Sequence, residues 1–214
     1  MTKSHVLLYM SSQSIMNFCT QNPIDWLSDY KKLAAIGGKG DQAGIPPSTV
    51  VGEFIACLIN KKSLFTQYDF MVWCADAWSD WRSELNKYLW RGVVTKLYRN
   101  FYPSMIDSLY VWALLCETGK FSICYMDSID DAISKSDITI FSNDNSKFHI
   151  ALSIGTKKAN DYCRYKTQNR HGTNVIETVR VELPMTRERS PGNKRWYCLE
   201  DFNLILSQTS GQAT

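Results

Sequence analysis

Residues 137–166 read DITIFSNDNSKFHIALSIGTKKANDYCRYK. Asp137 opens the run Ile138-Thr139-Ile140-Phe141, Asn143-Asp144-Asn145 supplies turn residues, and Phe148 to Ile154 is a second apolar run. Short runs rich in branched and aromatic residues, separated by an Asn/Asp cluster, predict two strands joined by a turn. Thr156 is placed to cap a helix over Lys157 to about Gln168, and Lys157, Lys158, Arg164 and Lys166 make that helix basic.

The flanking residues extend the pattern. Ser104 to Glu117 reads as a helix stopped by Gly119, Phe121 to Tyr125 as a strand, and Asp127 to Ser136 as a polar loop. Beyond a turn at Asn169 to Asn174, Val175 to Leu183 predicts a fourth strand with Val175, Glu177, Val179 and Val181 on one side. Pro184 to Asn193 is a polar, basic loop, Arg195 to Leu199 reads as a short edge strand, and Glu200 and Asp201 open a closing helix through Phe202, Leu204 and Leu206.

The N-terminal part is different in kind. Ile24 to Ile36 reads as a helix closed by glycine, and residues 37–47 form a Gly/Pro-rich loop. Ser48 or Thr49 can cap a helix through Val50, Phe54 and Leu58 toward Leu64, and Leu85, Leu89 and Val93 repeat at helical spacing within about Ser79 to Phe101. The expectation is an α+β chain with a mainly helical region over residues 1–102 and an α/β core over residues 103–214.

Composition narrows the function classes. Hydrophobic residues make up 44% and charged residues 21% of 214, ordinary for a globular chain with one sizeable core. No apolar run reaches the roughly 18 residues a membrane span needs, and the N-terminus has no convincing signal-peptide pattern. Seven cysteines stand apart with no C-x-x-C pair, which suits reduced thiols and a cytoplasmic location. Three histidines leave little material for a two-His metal motif or a Ser-His-Asp triad. Residues 151–214 hold 10 Lys and Arg against 6 Asp and Glu, whereas residues 1–150 hold 14 against 15, so the modest positive charge lies toward the C-terminus.

The order helix–strand–strand–strand–helix–strand over residues 104–183 resembles the core of the PD-(D/E)XK nuclease superfamily, an αβββαβ restriction-endonuclease-like arrangement. The resemblance implies a protein acting on DNA or RNA as a Mg²⁺-dependent phosphodiesterase. In that superfamily an Asp at the start of the second strand binds Mg²⁺, and an acidic residue and a Lys two positions later on the third strand complete the site. Convergent carboxylates hold a hard cation that activates water, and the lysine offsets developing negative charge. Asp137 matches the first aspartate. Ala151 and Ser153 stand near where the acidic residue and lysine are expected, and no Asp or Glu occurs from His149 to Ala159. A second carboxylate would come from Asp107 or Glu117 on the preceding helix, or from Asp130 or Asp131 in the loop. Lys158 or Lys166, or Lys157 beside them, would supply the positive charge.

The same fold without turnover is the alternative, a module that holds nucleic acid or a partner protein. Lys157, Lys158, Arg164, Arg170, Arg187 and Arg189, interleaved with Tyr162, Tyr165, Trp196 and Tyr197, are candidates for gripping a phosphate backbone. Trp73, Trp78, Trp81 and Trp90, with Arg82, Lys87, Arg91, Lys96 and Arg99 nearby, read either as a base-stacking or partner-binding surface or as the apolar side of an amphipathic helix.

Overall fold

A computed structural model of the chain describes residues 10–22, 47–80, 92–94, 96–126, 137–143, 146–153, 178–182 and 196–210. The predicted helix at residues 24–36, the loop through residue 46, the acidic loop, the basic helix over 157–168 and the loop over 184–193 lie outside them. The fold is α+β. It divides into two compact units, Asn17–Ile106 and Met1–Met16 with Asp107–Thr214.

In the unit of residues 17–106, α2 (Pro47–Lys61) and α3 (Gln67–Ala77) frame an aromatic core. The ring of Phe54 lies 5.0 Å from that of Phe65 and 5.4 Å from that of Phe70, both edge-on, and Tyr102 packs 6.1–6.2 Å from all three. Edge-to-face pairs at these spacings add about 0.5–1.5 kcal/mol each beyond their area burial. The Tyr102 hydroxyl donates to the Phe65 carbonyl at 2.6 Å, so the ring is buried without stranding its polar end. Helix α2 starts at Pro47, a residue suited to a first helical position because its missing N–H would have no partner there. It stops at Lys61, short of the expected Leu64, because Lys62 takes a left-handed φ of 53°. A π-helical turn over Leu97–Phe101 replaces the regular helix expected there and runs into α4 (Tyr102–Glu117).

In the other unit, four strands form one sheet in the order β1 (Phe121–Tyr125), β2 (Ile138–Ser142), β3 (Lys147–Ser153), β4 (Thr178–Glu182). Strand β2 runs antiparallel to both neighbours, with Cys124 opposite Ile140 and Ile138 opposite Ile150. Strand β4 runs parallel to β3, with Ile150 opposite Val179. A parallel pair cannot be closed by a hairpin and needs a crossover of a dozen or more residues, for which residues 154–177 are long enough. Cys124, Ile140, Phe148 and Ile150 share one face, and Tyr125, Thr139, Phe141, Lys147 and His149 share the other. Ile138 and Ile140 on the first face and Thr139 and His149 on the second are all buried, so this part of the sheet is covered on both sides.

Of the edge strand expected over residues 195–199, the described residues 196–199 form no strand. Trp196 and Tyr197 are both buried, which a strand with one solvated face would not allow for consecutive residues. Trp196 packs 4.6 Å from the Tyr110 ring of α4, and Tyr197 lies 6.0 Å from Phe202. A 3₁₀ turn over Leu199–Phe202 then leads into α5 (Asn203–Ser210), with the Asp201 carboxylate accepting from the Cys198 N–H at 2.7 Å.

Candidate functional site

Asp137 stands just before β2. Its backbone N–H donates to the Ile150 carbonyl at 2.9 Å, and its carboxylate Oδ2 accepts from the Leu152 N–H at 2.7 Å. The side chain thus supplies an acceptor to β3 at the point where β2 begins. A charge-assisted bond of this length is among the stronger ones a backbone amide makes.

The register that pairs Ile138 with Ile150 brings Ala151 beside Asp137. A methyl group therefore occupies the third-strand position nearest the aspartate, and Ser153 follows two residues later on the same strand. A hard cation needs several oxygen ligands at about 2.0–2.1 Å for Mg²⁺. Among the described residues no three acidic, His or Cys side chains are grouped to hold one. Asp137, already engaged by Leu152, with Ala151 beside it, is a poor fit to such a centre.

The carboxylates expected to assist lie on α4. Asp107 is half-buried near its start, and Glu117 is its exposed last residue. They are ten positions apart, a rise of about 15 Å at 1.5 Å per residue, too far to share one cation. Glu117 has a partner of its own. Its Oε1 accepts the Ser12 N–H and its Oε2 the Ser12 hydroxyl, both at 2.6 Å. It therefore satisfies an otherwise orphaned amide at the start of α1 (Ser12–Gln21) and places negative charge at the positive end of that helix. Lys157, Lys158, Arg164, Lys166, Arg170, Arg187 and Arg189 lie outside the described residues.

Of Trp73, Trp78, Trp81 and Trp90, the first two are described, and both are half-buried. The indole N–H groups of Trp73 and Trp78 donate to Oε2 and Oε1 of Glu53, at 2.9 and 3.2 Å. One α2 carboxylate thus gathers two rings from the end of the α3 segment; Trp81 and Trp90 lie outside the described residues.

A feature absent from the sequence reading appears on the sheet. Half-buried Tyr125 and Phe141 stack at 6.3 Å with 23° between their planes, and the Lys147 ammonium lies 5.8 Å from the Phe141 ring centre. Next to them, Thr139 Oγ1 and His149 Nδ1 share a hydrogen bond of 3.1 Å. Two aromatic rings and a cation on one sheet face are the elements that stack bases and hold phosphates in single-strand binders. Strand alternation alone could have grouped them, but only with the register of three strands in hand. No protein-family model, curated protein or solved structure matches the chain.

Proposed function

We propose that the chain holds nucleic acid without cutting it, on a frame that resembles the PD-(D/E)XK nucleases. The observation that carries this reading is the bond from the Leu152 N–H to the Asp137 carboxylate, with Ala151 in the neighbouring third-strand position. A carboxylate recruited to fix two strands together, with a methyl group beside it, serves architecture better than metal chemistry. Support for the nuclease-like frame comes from the helix followed by three antiparallel strands and a fourth strand parallel to the third. Support for nucleic acid as the partner comes from Tyr125, Phe141 and Lys147 on one face, and from the basic residues concentrated beyond residue 150.

The test is fluorescence anisotropy with labelled single-stranded and duplex oligonucleotides, run beside a cleavage assay in Mg²⁺ and Mn²⁺. Salt-sensitive binding with intact oligonucleotide is expected. Replacing Tyr125 and Phe141 by alanine is expected to weaken single-strand binding by roughly 5- to 150-fold, the range that about 1–3 kcal/mol of lost stacking produces. Metal-dependent cleavage abolished by Asp137→Ala would replace the proposal with the catalytic reading, and absence of binding to any oligonucleotide would remove nucleic acid from it.

A further inference from the structure

We propose that Cys116 and Cys124 are a modification site, a dithiol that hydrogen peroxide converts to a disulfide. Sequence spacing does not suggest a pair, because eight positions separate the two residues. The turn after α4, with Gly119 at a left-handed φ of 64°, folds β1 back along the helix and brings them together. Cys124 Sγ lies 4.0 Å from the Trp112 carbonyl oxygen, one helical turn before Cys116, and the Trp112 indole N–H donates to the Cys124 carbonyl at 2.8 Å. These two contacts hold β1, and the Cys124 sulfur with it, against the α4 turn that leads to Cys116.

The pair is chemically unequal. Interaction with the Cys124 thiol pulls the Cys116 thiol below its ordinary pKa, against the opposing effects of burial and the Glu117 charge. The same interaction and burial push Cys124 well up. Both residues are half-exposed, and Cys116 is the more readily ionised of the two, so its sulfur is the nucleophile. Its thiolate attacks one peroxide oxygen, the O–O bond breaks, and the departing hydroxide takes a proton to become water. Cys124 then loses its proton and attacks the resulting sulfenic sulfur. The S–O bond breaks, a second water leaves and the S–S bond forms, so two thiols are oxidised by one peroxide reduced to two waters. The remaining described cysteines provide internal controls. Cys19, Cys57 and Cys74 are buried, burial raises the Cys57 thiol to about 11, and burial also raises Cys198.

Non-reducing peptide mapping tests the site. Trypsin cuts after Arg99, Lys120 and Lys135, so Cys116 and Cys124 fall in separate peptides, residues 100–120 and 121–135. After brief exposure of the folded protein to equimolar hydrogen peroxide, these two peptides are expected as the main disulfide-linked species, separated again by dithiothreitol. In Cys124→Ser, dimedone is expected to trap sulfenic acid at Cys116 at least tenfold more than in the unsubstituted protein. Linkage mainly through another cysteine, or oxidation of Cys116 to sulfinic acid with Cys124 still reduced, would overturn the proposal. The mapping on the unsubstituted chain decides even where a variant fails to fold, and its outcome is independent of nucleic-acid binding.

Discussion

Asp137 draws its character from what lies across the sheet, not from its own position. Removing its carboxylate leaves the Leu152 N–H without this acceptor in a half-buried place, and such an orphan costs about 1–3 kcal/mol. Asp137→Ala is therefore expected to lower unfolding stability by about that amount in urea titration, while oligonucleotide affinity changes less than twofold. Asp137→Asn retains an oxygen acceptor and is expected to lose only part of it. A metal ligand would show the reverse, with cleavage lost and stability unchanged or improved. Glu53 offers the same kind of test in the unit of residues 17–106, since it accepts from two indoles. Glu53→Gln keeps one good acceptor and Glu53→Ala keeps none, so alanine is expected to cost about 1–3 kcal/mol more than glutamine, with a shift in tryptophan emission. The aspartate was legible in the sequence because it opens an apolar run. Its bond to Leu152 was not, because that depends on the register between β2 and β3.

Elements were legible where a local period dominates and less so where tertiary contacts set their ends. The first three strands fall within a residue or so of the expected runs, because branched residues alternate clearly there. Trp196 and Tyr197 also resemble a strand in sequence, but burial of both rings against Tyr110 and Phe202 overrides that preference. The start of α3 was carried by a local signal that hydrophobic periodicity does not register. Thr66 accepts the Asp69 N–H through Oγ1 at 3.1 Å, and the Asp69 carboxylate accepts the Thr66 N–H at 2.9 Å, a reciprocal capping box. The Thr66 hydroxyl, followed by its backbone N–H and Lys61, holds the Asp69 pKa below its ordinary 3.8, while burial opposes them. A depressed carboxylate stabilises the fold above its unfolded-state pKa and loses that contribution as pH falls through the folded value. The acid limb of the stability profile is thus expected to steepen below about pH 4 in the unsubstituted protein and to flatten in Asp69→Asn. Thr66→Ala is expected to cost about 0.5–2 kcal/mol at neutral pH by thermal or urea unfolding.

Across the whole chain, charge and chemistry point to different parts of the nucleic-acid reading. Net charge is only +3, so long-range attraction to a polyanion is weak and affinity has to come from local clusters. Lys157, Lys158 and Arg164 belong to the C-terminal stretch that holds the basic excess. Tyr125 and Phe141 belong to the sheet, and in the proposed function their contribution is stacking, which needs no net charge. The two contributions separate by salt dependence. Each phosphate that the protein no longer neutralises lowers the slope of log affinity against log salt by about 0.7 on single strands and about 0.9 on duplex DNA. Charge reversal at Lys157, Lys158 and Arg164 together is expected to reduce the single-strand slope by roughly 2, measured by anisotropy between about 50 and 200 mM salt. Alanine at Tyr125 and Phe141 is expected to weaken binding at every salt concentration and leave the slope unchanged. If both sets of variants moved the slope equally, the sheet would be gripping phosphates and not bases. If neither moved affinity, the interface would lie elsewhere on the chain, because stacking and counterion release are the two forces by which these residues can hold a strand.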